Sequence, residues 1–311
     1  MHDQIKEFFL DQIEGSCNII QLPSRLWVFG GRLTQNQKST SDNYLSFRDC
    51  FLDITNRVSS SPQIFSDIDY PENYNDWIYF SGYKDLLEFE CDACHLANAI
   101  ILFAESPGAF VELGALTYDE TLLAKLFVIT EEQYENNDSF IYLGPLTRVK
   151  NREALCFIDN KKGKKFEISD CCLKSIQDHY CSWANCIQKK QKLNQENKTH
   201  ILLLISDLID LLNILKLDDL QKILKHFNIH QEDEAILKYL NLLVFFKHIS
   251  KKIQGKTIFY IPPKNRKAPW IDYRAKAKSP NFDRSRFKID WMEKIKINTG
   301  DYASIMKRND Q

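Results

Sequence analysis

One stretch of the chain combines residue types and spacing suited to bond-breaking chemistry. It reads Phe103-Ala104-Glu105-Ser106-Pro107-Gly108-Ala109-Phe110-Val111-Glu112-Leu113-Gly114-Ala115. The apolar run before it, Ala99 to Ala104, has no alternation, as expected of a strand covered on both faces. A polar turn and a short helix, 109–118, follow. In parallel α/β sheets the ligand crevice lies beyond the carboxyl ends of the strands, which puts Glu105 and Ser106 at that edge. Backbone N–H groups at the start of the next helix are suited to an anion such as a phosphate. If that helix turns Glu112 toward the sheet, burial disfavours its charge and makes it a candidate nucleophile or base. If it turns Glu112 to water, the residue is an ordinary helix glutamate. Gly114 would let a backbone or ligand approach closely.

The elements that must position these groups follow from hydrophobic spacing. Residues 1–15 read as a short amphipathic helix with Ile5, Phe8, Phe9 and Ile13 on one face. Leu26 to Phe29 reads as a buried strand ending in the Gly30-Gly31 turn. Residues 44–58 have helical spacing, Ile64 to Tyr70 reads as a strand closed by Pro71, and 83–97 reads as a helix. Leu126–Thr130 and Ala154–Ile158 complete the strands. Strands alternating with helices predict a parallel α/β sheet of flavodoxin or Rossmann type. The polar, basic run Asp159 to Lys165 places the end of this domain near residue 160, so that 1–160 holds the motif.

Residues 161–199 are expected to be a connecting helix and linker. Within 200–263, helices are predicted over Ile201–Leu215, Asp218–Phe227 (Asp218 as N-cap) and Glu232 to about Leu243. Two β-rich runs, Val244–Lys251 and Lys256–Ile261, follow and form a hairpin. Three helices and a basic hairpin give the order of a winged helix-turn-helix domain. Residues 264–311 are basic, follow Pro262-Pro263, contain Pro269 and Pro280, and are predicted to be an extended arm.

Composition sets the outer bounds. The 311 residues carry 41 Lys and Arg against 42 Asp and Glu, with 44% apolar residues, which is ordinary globular usage. The near-zero net charge hides a split: residues 1–150 hold 10 basic and 23 acidic side chains, residues 251–311 hold 16 and 6. An acidic half repels phosphate backbones and a basic C-terminal quarter attracts them. No apolar run approaches the roughly 20 residues of a membrane span, and the first 20 residues lack signal-peptide order. A cytoplasmic protein without membrane contact is expected. The nine cysteines read as free thiols in a reducing compartment. A zinc site built on Cys91, Cys94 and His95, with Cys181 or His179, would have only one Cys-x-x-Cys pair to stand on. No metal or cofactor is expected.

The run Glu-Ser-Pro-Gly-Ala-Phe-x-Glu-Leu-Gly-Ala after an Ile-Ile-Leu-Phe strand resembles nucleoside 2-deoxyribosyltransferase-like proteins. In particular it is similar to the effector (toxin) proteins of bacterial retrons. The likeness spans about residues 20–158 and includes Phe29-Gly30-Gly31, Tyr70-Pro71-Glu72 and Leu143-Gly144-Pro145. It implies that Glu112 acts as nucleophile or oxocarbenium stabiliser at the sugar C1′. It implies a second acid on the preceding helix, 13 positions before Glu105, which is Asp92, with Glu90 as fallback. Glu105 joins them at the strand end. The logic is that of glycoside cleavage by paired carboxylates. Ser106 and the N–H groups near Gly108 would hold a 5′-phosphate, Gly30 and Gly31 would admit the base or sugar, and Tyr70 and Glu72 would line the pocket. The implied function is toxic cleavage of an N-glycosidic bond in a nucleotide or NAD-type substrate. The implied partners are a reverse transcriptase and its RNA-linked single-stranded DNA, and an oligomer or higher assembly is expected.

The C-terminal third adds candidate nucleic-acid contacts at Lys251, Lys252, Lys256, Lys264, Arg266, Lys267 and Arg274. Basic residues track phosphates, and the interleaved Trp270, Tyr273, Phe282 and Phe287 would stack on bases or else pack on the domain. The acidic start of the third helix, Glu232-Asp233-Glu234, opposes major-groove reading. Two further readings stay open: a nucleic-acid-binding regulator that senses a nucleotide without cleaving it, and a docking scaffold without chemistry.

Overall fold

A computed structural model of the chain describes residues 6–34, 44–57, 65, 67–79, 82–135, 138–159, 166–187, 190–264, 269–276 and 282–297. The chain divides into two compact units. One spans Pro23–Tyr79 and Lys84–Gln188; the other combines Met1–Leu22, Phe80–Tyr83 and Lys189–Gln311.

The strands in chain order are β1 (Ile13–Ile19), β2 (Leu26–Phe29), β3 (Ile68–Asp69), β4 (Ala99–Ala104), β5 (Leu126–Glu131), β6 (Leu155–Ile158), β7 (Gln191–Lys192), β8 (Ser250–Gln254), β9 (Thr257–Ile261) and β10 (Ile271–Ala275). In the first unit all pairings are parallel and the order is β3-β2-β4-β5-β6. Counted within the sheet this is 2-1-3-4-5, the flavodoxin-like order, with its switch point between β2 and β4. Every residue of β2, β4 and β5 is buried, which explains why their sequences are apolar without alternation. Burial of each large side chain contributes about 1.5–3 kcal/mol. Phe51 of the helix Phe47–Arg57 meets Phe103 of β4 at 5.3 Å between rings. On β5, Phe127 meets Tyr180 and Trp183 of the helix Asp170–Cys186.

That last helix corrects the expected connector over 161–199: its aromatic face completes the α/β unit, which runs to Gln188 rather than ending near 160. The N-terminal expectation also changes. Among the described residues there, Lys6–Leu10 forms a single helical turn and β1 follows it. Ile13, Cys17 and Ile19 are the buried positions of β1, a strand period hidden behind the helical spacing of Phe8 and Phe9. β1 pairs antiparallel with β10 and β7, so the N-terminus belongs to the second unit.

The second unit contains the helices Lys198–Leu212, Leu217–His226 and Asp233–Phe245, then the antiparallel hairpin β8-β9. Leu215 exchanges both backbone hydrogen bonds with Tyr260 of β9. The helix Asp233–Phe245 takes in Val244, which the sequence assigns to a strand, and Lys216 rather than Asp218 precedes the helix Leu217–His226. The region 264–311 is not an extended arm where it is described. β10 joins the sheet, and the helix Arg284–Ile297 buries Phe287 and Trp291. Trp291 Nε1 donates to the carbonyl of Leu212 at 2.8 Å. Arg284 pairs with fully buried Asp207 and with Asp210, each at 2.7 Å, and Lys288 pairs with Asp210 at 2.9 Å. Among the described residues no helix is long and apolar enough to cross a membrane.

Candidate functional site

The site gathers at the carboxyl edge of β2 and β4, where the strand order reverses. Glu105 follows β4 and reaches across to β2. Its carboxylate accepts hydrogen bonds from the N–H of Gly31 (3.0 Å), Phe47 (2.7 Å) and Arg48 (3.1 Å). The last two open the helix Phe47–Arg57, whose N-terminus favours a negative charge. Burial pushes the Glu105 carboxyl up from its ordinary value, and the three N–H donors work against that. Glu105 therefore ties the β2 turn to the helix that carries Arg48.

The glycines of that turn serve the same assembly. Gly30 has φ +150°, and a Cβ there would stand 2.8 Å from Phe103 Cβ and 3.1 Å from Arg48 Cβ and Cδ. A Cβ on Gly31 would stand 2.6 Å from Ser46 Cβ and 3.1 Å from Glu105 Oε1. The missing side chains make room for Phe103 and Arg48 at Gly30 and for Ser46 and Glu105 at Gly31.

Arg48 has no role in the sequence reading and lies at the centre of the site. Its side chain is 3% exposed. Nη1 donates to the Gly31 carbonyl (3.2 Å) and to Glu72 Oε1 (2.8 Å), and Nη2 donates to Glu72 Oε2 (2.6 Å). The guanidinium carbon lies 5.9 Å from the Tyr70 ring centre. Glu72 is 49% exposed on its side chain, so a forked pair joins a buried cation to a half-exposed anion. No motif flags Arg48; its only sequence signal is a cation inside an otherwise amphipathic helix.

Glu112 sits on the helix Pro107–Tyr118, capped by Ser106, whose hydroxyl accepts from Ala109 N–H at 3.2 Å. Ser106 is thus engaged as a cap, while Gly108 is exposed with open space around it. Glu112 is partly buried, and its Oε2 is shielded from solvent with no hydrogen-bond partner among the described residues. Burial pushes its pKa up to about 7; Arg48 holds it down and Glu72 pushes it up. Glu90, on the helix Leu86–Cys94, is pushed up to about 8 by burial first, then by the Glu112 and Glu72 carboxylates, against Arg48. Asp92 lies two residues further along that helix, roughly 200° round it, and is 2% exposed. On that helix Glu90, the fallback acid, is the carboxyl that the Glu112 charge pushes up. Tyr70 and Glu72 both meet Arg48.

In the second unit Lys251, Lys256, Lys264 and Arg274 are exposed and Lys252 is half-buried; Arg266 and Lys267 lie outside the described residues. Tyr273 and Phe287, for which the sequence left base stacking or packing on the domain open, are core side chains. For the zinc reading, Cys94 is buried, His179 Nε2 lies 3.0 Å from the Glu153 carbonyl, and no group of three or more His, Cys, Asp or Glu suited to a metal occurs among the described residues.

The sequence matches a family model described as STM3845 retron effector protein over residues 44–251. The chain belongs to this retron effector family. The matched span holds Arg48, Glu72, Glu90, Glu105 and Glu112 of the effector. An Escherichia coli protein named "Retron Ec86 putative ribosyltransferase/DNA-binding protein" is 38% identical over 106 residues, covering 31% of this chain and 34% of that protein. The Escherichia coli retron Ec73 protein of the same designation is 38% identical over 65 residues, 21% of each. The effector thus spans about a third and a fifth of the lengths of these two relatives.

Proposed function

We propose that this effector cleaves the N-glycosidic bond of a nucleotide or NAD-type substrate. What supports the reading is that Glu90 and Glu112 both lie in the fields of Arg48 and Glu72, with Glu112 raising Glu90 and burial pushing the two carboxyls up to about 8 and about 7. Near pH 7.5 such a pair provides one ionised and one protonated member, the division of labour that glycoside cleavage needs. Glu112 attacks the sugar C1′, or stabilises the oxocarbenium ion there, as the C1′–N bond breaks. Glu90 gives its proton to the leaving base nitrogen. Water then takes the sugar, returning a proton to Glu90, and the products are free base and the ring-opened or hydroxyl-bearing sugar. Glu105 is a positioning residue, since its carboxylate is occupied by three backbone donors. Asp92, buried on another side of its helix, gives way to Glu90 as the acid.

The second unit is read as a winged helix-turn-helix-like module. Its hairpin and exposed cations, with the ribosyltransferase/DNA-binding designation of the relatives, favour contact with a retron's RNA-linked single-stranded DNA and its reverse transcriptase, which would restrain the toxin. The purified full chain tests the enzymatic reading. Incubated with ribonucleotides, deoxyribonucleotides and NAD, it is expected to release free base, seen by mass spectrometry. Intact substrates after prolonged incubation would leave a nucleotide-sensing regulator.

A further inference from the structure

Two buried polar atoms of the site have no hydrogen-bond partner among the described residues: Arg48 Nε and Glu112 Oε2. They are opposite in kind. A guanidinium N–H can only donate, and a carboxylate oxygen accepts. The other two nitrogens of Arg48 are engaged by the Gly31 carbonyl and by Glu72, and its Cβ and Cδ pack closely against Gly30. Nε therefore cannot turn away to find a partner. A buried donor and a buried acceptor left open in one charged cluster ask for a ligand group that supplies both.

The chemistry of that group is restricted. A phosphate or carboxylate would satisfy Arg48 and meet Glu112 as like charge. An ammonium would satisfy Glu112 and meet Arg48 as like charge. A hydroxyl accepts from Nε and donates to Oε2 with a single oxygen. With one Glu112 oxygen at C1′, the neighbouring sugar position is C2′, and hydrogen bonds to the 2-hydroxyl strengthen as such transition states form. We infer that Arg48 is a specificity-determining residue that, with Oε2 of Glu112, receives the 2′-hydroxyl of a ribosyl substrate. The inference rests on the glycosidic reading above and narrows it to ribonucleotides and ribose-containing dinucleotides over their 2′-deoxy forms.

The test compares the full chain on the four ribonucleoside monophosphates and NAD with the four 2′-deoxyribonucleoside monophosphates, following free base by mass spectrometry. The ribo-to-deoxy ratio of kcat/KM is expected to be roughly 10- to 100-fold, the range for leaving buried polar groups unpaired. Arg48→Lys keeps a positive charge and removes the Nε donor; it is expected to bring the ratio within about threefold of unity. The ratio does not depend on the folded fraction of a variant, so poor folding cannot imitate the result. Equal cleavage of matched ribo and deoxy substrates by the parent overturns the inference, as does an Arg48→Lys variant that keeps the parent's ratio. Absence of base from both sets overturns the glycosidic reading itself, and the sugar assignment falls with it.

Discussion

Replacing Glu72 by Gln should move the whole pH–rate profile toward acid. Glu72 raises the pKa of both Glu90 and Glu112, while Arg48, its partner, lowers both. Cleavage requires Glu112 ionised and Glu90 protonated, so kcat/KM in the parent should be bell-shaped with limbs near about 7 and about 8. Neutralising Glu72 removes a negative charge and unmasks the full field of Arg48. Both changes favour the ionised carboxylates. A unit charge acting at an effective dielectric of about 20–40 is worth on the order of 1 kcal/mol, near one pKa unit. Because Glu72 is 49% exposed, screening reduces this to roughly half a unit. The variant should therefore lose less activity than the parent on going from pH 7.5 to pH 6, and more on going to pH 9. Base release under kcat/KM conditions across pH 5.5–9.5 reads this directly. A profile that stays in place, or moves toward alkali, refutes the proposed wiring of Arg48 and Glu72 to the two carboxylates.

Other consequences follow from the same geometry. Glu90→Gln should lower cleavage of purine and pyrimidine nucleotides by about 10²- to 10⁴-fold, the usual share of a general acid. It should affect an NAD-type substrate much less, because nicotinamide leaves as a neutral base without a proton; parallel assays on the two substrate types show it. Glu90 and Glu112 bind protons more tightly folded than unfolded, so their contribution to stability is present below about pH 4.5 and is lost as pH rises through about 7 and 8. Gln at either position should therefore raise the melting temperature relative to the parent at pH 8.5, with the gain fading by pH 4.5 in calorimetry. Arg284→Ala leaves the fully buried Asp207 without its cation and should destabilise the second unit by about 3 kcal/mol, read from the urea midpoint; an unchanged midpoint would show that the pair is not structural.

The core of the α/β unit was legible because its strands are unalternated apolar runs closed by turn residues. Leu26–Phe29, Ala99–Ala104 and Leu126–Thr130 fall on β2, β4 and β5 almost to the residue. The motif helix was legible for the same reason, and its Ser106 cap is a local signal. What lay hidden is long-range. β1 pairs with a strand more than 250 residues away (Ile19 with Ile271), so no local pattern announces that the N-terminus joins the second unit. Arg48 and Glu72 are joined by a side-chain fork across two elements, and each alone looks like an ordinary surface charge. Gly30 and Gly31 signal a close approach, but spacing cannot name Phe103, Arg48, Ser46 and Glu105 as the protein groups that make it. The basic arm misled because its charge was counted without the acids that receive it: Asp207 and Asp210 absorb Arg284 and Lys288.

Everything proposed for this effector turns on the Glu112 carboxylate performing chemistry on a captured nucleotide. The most direct measurement expresses the parent and Glu112→Gln side by side and follows growth together with free bases and nucleotide pools by mass spectrometry. The parent is expected to arrest growth and accumulate free base, and the variant to grow normally with unchanged pools at equal protein level. Equal arrest and equal base release from both would contradict it.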